Sequence, residues 1–344
     1  MAKGRTTMKD IAQALGVTPS TVSLAMKDDP RISQETKQRV MSMARSMNFR
    51  LNPHMVNLNQ KSHTIGISIY GFDFANHPFI GGMIGGIQAE AGKHGFSVML
   101  CNNNIERIGN SNKSFFVNLA EEGRIDGLII HRGHAEDIRK VTHLGIPVVL
   151  LNTHHETLPD IPVVHVDFEH AIYTATEHLI ESLGHSKIGF IGSSLYDQVG
   201  RKGLEGYKAA LEKYGLPYDE SNIRFAEYDD PEQEYKIAYD LLSSEDRPTA
   251  VVTIDDYFAM YTINAAYDLG LSVPEELSVT GVYDFPTSAM LSKPLSTIRI
   301  PLDELGMKAF HLLNQQLQEN EIAQKQYWIR GDLITRKTTR FAKP

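Results

Sequence analysis

Apolar residues recur at helical spacing through the first fifty positions, and beyond residue 64 they gather into short runs separated by amphipathic stretches of helix length. The first part predicts three short helices. Met8, Ile11, Ala12 and Leu15 share one face of a helix capped by Thr6 or Thr7. Gly16 ends it, because a residue without Cβ makes the sharp turn at least cost. Thr18 caps a second helix with Pro19 at its first position, where a missing N–H is harmless, and Val22 and Met26 point inward. Ser33 caps a third, whose apolar side holds Val40, Met43, Ala44 and Met47.

Later in the chain the runs read as strands: Ile65–Tyr70, Phe96–Cys101, Gly127–His131, Pro147–Asn152, Val163–Val166, Lys187–Gly192, Ala250–Ile254 and Ser278–Tyr283. Between them lie helix-length segments such as Phe79–His94, Asp137–Leu144, Ala171–Leu183 and Gly203–Tyr214. Strand-helix alternation predicts parallel sheets, and ligands of such sheets sit at the carboxyl ends of the strands. Two similar sets of strands predict two lobes with a cleft between them.

At 344 residues the chain fits two or three domains. It shows no apolar leader at its start and no run of about 18 apolar residues. Cys101 is the only cysteine, so no intramolecular disulfide can form. A cytoplasmic protein is expected, with no membrane partner. The net charge of -8 divides unevenly: residues 1–61 hold ten Lys/Arg against four acids, leaving -14 for the remainder. A basic arm on an acidic body predicts that only the N-terminal end meets phosphate.

Ala12, Gly16 and Val22 supply the small, turn and apolar positions that two closely crossing helices require in a helix-turn-helix. The hydroxyls of Ser20, Thr21 and Ser23 follow on the second helix. The stretches DIAQALGV, STVS, RISQETKQRV and the final NF resemble the headpiece of the lactose/galactose repressor family. Further on, HVDFEHA, LGHSKIGFIG, VPEELSV and KPLSTIRIP extend the resemblance almost to the chain's end.

The resemblance implies an all-α helix-turn-helix headpiece (1–48), a hinge with a hinge helix (49–63), and an α/β core of two parallel-sheet lobes like that of periplasmic binding proteins (64–344). The lobes are expected at about 64–161 with 293–326, and about 162–292 with 327–340, the chain crossing between them near Ile161, Ser292 and Tyr327. It also implies homodimerisation and a near-palindromic double-stranded operator. Thr7, Thr18, Pro19, Ser20, Thr21, Ser23, Leu24 and Arg31 fall where the family contacts bases or phosphates. In the hinge, Asn52, Asn57 and Leu58 do so, with Leu58 as an apolar wedge that unstacks a base step. Two positions depart: Leu24 replaces a basic or polar reader, favouring contact with a thymine methyl, and Met55-Val56 replaces the usual Ala-Arg.

Candidate effector ligands at the strand ends are Asn76, Phe79, His131, Arg132, Asn152, Arg201, Asp255 and Tyr283. Planar amide, carboxylate and guanidinium groups with an aromatic ring suit a sugar. Gly203 stands where the family has a ligand arginine, with Arg201 as a substitute, and Tyr283 stands in place of an aspartate. Asp256 is assigned to structure. The expected function is a transcriptional regulator, read as a repressor, answering to a small carbohydrate-like effector. The alternatives are a regulator of nucleoside or sugar-phosphate response, or a solute-binding protein of a sugar uptake system. No enzyme, metal or cofactor is expected: adjacent Asp255-Asp256 on an extended chain point apart, and the histidines lack zinc-motif spacing. Gly81, Gly82, Gly85 and Gly86 predict a close helix approach rather than a phosphate loop, since no Gly-Lys-Ser/Thr follows.

Overall fold

A computed structural model describes residues 6–26, 29–47, 62–69, 77–102, 114–153, 157–196, 198–227 and 230–343. The chain separates into two units, 1–60 and 61–344.

The first unit holds α1 (Met8–Leu15), α2 (Pro19–Met26) and α3 (Gln34–Ser46). Thr7 caps α1 reciprocally: Asp10 N–H donates to the Thr7 hydroxyl (3.3 Å) and Thr7 N–H donates to Asp10 Oδ2 (2.7 Å). Gly16 takes the left-handed conformation (φ 67°) that ends α1. Thr18 accepts from Thr21 N–H (3.1 Å) and Ser33 accepts from Thr36 N–H (3.3 Å), so the three expected caps are in place. Ile11, Ala12, Val22, Ala25, Val40 and Ala44 form the small core.

The second unit contains β1 (Thr64–Ile69), α4 (Pro78–Lys93), β2 (Ser97–Asn102), α5 (Phe115–Glu121), β3 (Gly127–His131), α6 (Ala135–His143), β4 (Val148–Leu151) and β5 (Val163–Val166). It continues through α7 (Phe168–Glu177), β6 (Ile188–Ser193), α8 (Gln198–Lys213), β7 (Ile223–Ala226), α9 (Pro231–Leu242), β8 (Ala250–Thr253) and α10 (Asp256–Asp268). Last come β9 (Ser278–Tyr283), α11 (Pro286–Met290), β10 (Ser296–Arg299), α12 (Leu302–Leu317), β11 (Gln326–Ile329) and β12 (Asp332–Ile334).

Among the described residues these strands form two six-stranded sheets, ordered β11-β5-β4-β3-β1-β2 and β12-β10-β9-β8-β6-β7. All neighbours are parallel except β10 and β12. Every residue of β3 (GLIIH) and of β9 (SVTGVY) is buried. Helices covering both faces of a sheet bury every position of its central strands instead of alternate ones, small polar residues such as Ser278 and Thr280 included.

The strand pairing moves all three lobe crossings. Val163–Val166 extend the first sheet beside β4, so the chain crosses at Asp167, not near Ile161. Ser296–Arg299 pair with β9 in the second sheet, so the return falls at Ile300-Pro301, not near Ser292. Tyr327 lies inside β11, and the last crossing is Arg330-Gly331. Each predicted crossing fell at the start of an apolar run, but pairing partners decide which sheet a run joins. The sequence does not mark β7 and β10 to β12 as strands: each has positions that are not buried, whereas the equally short β4, β5 and β8 are buried throughout.

The glycines of α4 serve two surfaces. A Cβ at Gly82 would meet Leu302 and one at Gly86 the Asp303 carbonyl, so these two admit α12; Gly81 and Gly85 face open space.

Candidate effector cleft and DNA-reading surface

Six of the expected effector residues converge. Phe79, His131, Arg132, Asn152, Asp255 and Tyr283 line one cavity with His77 and Val199. The parallel topology explains this: β3 and β4 share a carboxyl-end edge in one sheet and β8 and β9 in the other, and the residues just past those ends meet in this cavity. Phe79 and His77 come from the start of α4, where His77 is the N-cap and accepts from Phe79 N–H (3.4 Å).

The backbone at this rim is strained. Among the described residues, six non-glycine residues have positive φ, and four of them are Arg132 (60°), Asn152 (46°), Tyr283 (101°) and Asp284 (58°). Such conformations cost of order 1–3 kcal/mol each and persist where the surroundings over-determine them. Here the restraints are visible. Arg132 N–H donates to Thr153 Oγ1 (3.0 Å), and Asn152 Oδ1 accepts from Val166 N–H (2.7 Å). Asp284 is gripped by Arg299 (2.7 Å) and Arg336 (2.6 Å).

The walls are aromatic. Tyr283 stacks on Phe285 at 5.0 Å and meets Phe79 and Phe168 edge-on; His77, of the first lobe, packs edge-on against Tyr257 and Phe285 of the second. Burial holds the His77 imidazole down at about 4 and that of His131 at about 3, helped for His131 by the nearby Arg132 charge. Both rings are therefore neutral at physiological pH. Asp255 caps α10 by accepting from Phe258 N–H (2.9 Å). The cavity is only about 40 Å³. That admits a few waters, so a ring-sized effector enters only if the lobes part or the aromatic side chains swing aside.

Arg201 does not join this group. Its guanidinium donates to the carbonyls of Leu195 and Tyr196, both at 3.0 Å, bracing the loop before α8. Val199 faces the cavity, and a residue two positions on points to nearly the opposite side of a helix. Gly203 is buried one turn further along, where a Cβ would lie 2.6 Å from Ile254 Cδ1. Asn76 lies outside the described residues. His77 and Val199 were missed, although a His-Pro pair opening an apolar helix is a readable cap signal for the first. Asp256 is structural as expected: it accepts from Phe285 N–H (2.7 Å) and the hydroxyls of Ser288 and Thr297 (both 2.5 Å).

In the headpiece unit, Thr7, Thr18, Pro19, Ser20 and Arg31 are exposed, and Thr21, Ser23 and Leu24 are half-buried. Arg31 is held by Asp29 through two bonds of 2.9 and 2.8 Å, so any phosphate contact competes with that carboxylate. Asn52, Asn57 and Leu58 lie outside the described residues.

Residues 7–52 match the bacterial regulatory proteins of the lacI family, and residues 157–339, over half the chain, match the periplasmic binding protein-like domain. The transcriptional repressor CytR of Escherichia coli is 30% identical over 97% of this chain and 96% of its own length. The chain belongs to the lacI family. As a family member it is a DNA-binding transcriptional regulator with an effector-binding domain. A Lac repressor dimer bound to operator and an anti-inducer shares the fold, with a TM-score of 0.79 at 24% identity over 98% of this chain and all of that one. A lacI-family regulator from Enterococcus faecium with bound ribose is 25% identical, with a TM-score of 0.69, covering 81% of this chain and all of that one. Among the described residues no helix is long and apolar enough to cross a membrane.

Proposed function

We propose that this regulator is a cytoplasmic homodimeric repressor that reads a near-palindromic operator and answers to a neutral, carbohydrate-like effector held between its lobes. The convergence of six separately predicted residues on one strained, aromatic cavity carries the effector reading. One guanidinium, one carboxylate, one amide and two neutral imidazoles give no excess positive charge to favour a phosphate. The ribose complex of the Enterococcus faecium relative supports the same class. The stacked Tyr283 and Phe285 rings favour a flat-ringed nucleoside as the second reading.

For DNA, Pro19, Ser20, Thr21, Ser23 and Leu24 of α2 read the major groove, with Thr7, Thr18 and Arg31 on the backbone. Asn52, Asn57 and Leu58 enter the minor groove of a bent site. Effector changes operator affinity only through its differential affinity for the two lobe arrangements.

A two-part experiment tests this. Operator sequences selected from random duplexes are expected to be near-palindromic, with affinity falling steeply with salt. Equal binding to all duplexes would end the regulator reading. A thermal-shift screen of pentoses, hexoses, sugar phosphates and nucleosides is expected to raise the melting temperature with a neutral sugar; a response confined to nucleosides selects the second reading.

A further inference from the structure

A second, larger recess lies beside two of the crossings, on the far side of Trp328 and Lys202 from Asn152 and Val199. Its volume is about 410 Å³, and its walls include Trp328, Asp167, Arg330, Glu169 and Lys202. Trp328, the only tryptophan in the chain, stacks one face on buried His165 (4.5 Å, 24° between planes) and remains 42% exposed. A large indole kept partly in water, with its ring fixed from behind, is a ready platform for an apolar ring face.

Both cations beside the platform are already held by carboxylates. Arg330 Nε binds Asp167 Oδ2 at 2.9 Å, and Lys202 Nζ binds Glu169 at 3.0 Å and Glu205 at 2.6 Å. An anion would have to displace a carboxylate from each cation. A hydroxyl can instead donate to the carboxylate and accept from the cation of the same pair, leaving the ion pair intact. An indole face flanked by such pairs is complementary to a ring with apolar C–H faces and a hydroxyl-bearing edge.

We propose that this recess is an accessory site for a neutral saccharide, stacked on Trp328 with its hydroxyls bridging the Asp167–Arg330 and Glu169–Lys202 pairs. Trp328 belongs to the first lobe, Glu169 and Lys202 to the second, and Asp167 and Arg330 to the crossings. A saccharide here therefore touches both lobes at the point where their angle is set. The recess shares no lining residue with the effector cavity, and the two are joined by a narrow gap between Asn152 and Val199 on one side and Trp328 and Lys202 on the other.

The lone tryptophan supplies the assay. Its emission is titrated in the full-length protein with cellobiose, methyl β-glucopyranoside, glucose 6-phosphate and adenosine. The two neutral saccharides are expected to give saturable changes. Affinity is expected to fall at least tenfold in Arg330→Ala and in Lys202→Ala, and to stay within about twofold in Asp255→Asn, a change in the effector cavity at a residue that lines neither the recess nor the gap beside it. Ala209→Tyr fills the recess from an exposed position without removing any bond, and is expected to abolish the response with melting unchanged. The proposal is overturned if no neutral saccharide gives a saturable change, if only glucose 6-phosphate or adenosine does, or if Ala209→Tyr leaves the response intact. Loss in Asp255→Asn with retention in the recess variants would mean that Trp328 merely senses the effector cavity, and would equally overturn it.

Discussion

The packing of α4 on α12 allows a prediction whose sign changes between adjacent glycines. An alanine Cβ at position 86 would sit 2.0 Å from the Asp303 carbonyl oxygen, and one at position 306 would sit 2.1 Å from the Met83 carbonyl oxygen. Ordinary contact begins at 3.4 Å, so the helices must part by more than an ångström, against backbone that has no rotamer to yield. Overpacking of this kind costs about 3 kcal/mol at the upper end of the usual range. Replacing glycine by alanine in a helix returns about 1 kcal/mol, leaving a net loss of about 2. At position 85 the Cβ meets nothing, so only the helix gain of up to about 1 kcal/mol applies.

For a unit of this size about 2 °C of melting temperature corresponds to 1 kcal/mol. Gly86→Ala is therefore expected to melt about 4 °C below the parent and Gly85→Ala about 2 °C above it. Because both clashes separate the same two helices, Gly86→Ala with Gly306→Ala should cost less than the sum of the singles. Thermal unfolding at two protein concentrations reads all of this. A Gly86→Ala variant as stable as the parent would refute the close-approach account, whereas a Gly85→Ala loss that grows on dilution would mark the open face of α4 as a subunit contact.

Burial lifts the Asp256 carboxyl from 3.8 to about 6, overriding the opposing hydrogen bonds from Ser288, Thr297 and Phe285. The folded state therefore holds a proton between those values that the unfolded chain has released. Its stabilising effect is full below about 4, is lost as pH rises through 6, and amounts to at most about 3 kcal/mol. Urea titrations from pH 4 to 7 should show a component of that sign which Asp256→Asn removes; an unchanged slope in the variant would contradict it. Asp255→Asn retains a good N-cap, so the unfolding free energy is expected to change by less than about 1 kcal/mol while effector affinity, read by thermal shift, falls at least tenfold. Arg201→Ala should leave effector affinity within about twofold, since its guanidinium braces carbonyls of the preceding loop; a tenfold loss would return it to the binding group.

The headpiece was legible almost residue by residue, because caps and turns are local. A threonine reaches its own helix's third N–H, and Gly16 needs its positive φ whatever surrounds it. Most of the eight strands were legible for a related reason: a strand buried on both faces is largely apolar, and that shows in a short window. Strand ends then located most of the cleft, since parallel strands put their carboxyl ends on one side.

The structure alone decided what depends on partners distant in sequence. Val163–Val166 looks the same whether it opens one sheet or closes another, and only its pairing with β4 and β11 puts it in the first lobe. Arg201 carried suitable chemistry, but the phase of α8 turns it away from the cavity that Val199 faces. The pairing of Asp167 with Arg330, 163 positions apart, beside an indole stacked on His165, has no signature in any window of the chain. Periodicity reports which face of an element is buried; which elements meet, and what their meeting leaves exposed, is settled by packing across the whole chain.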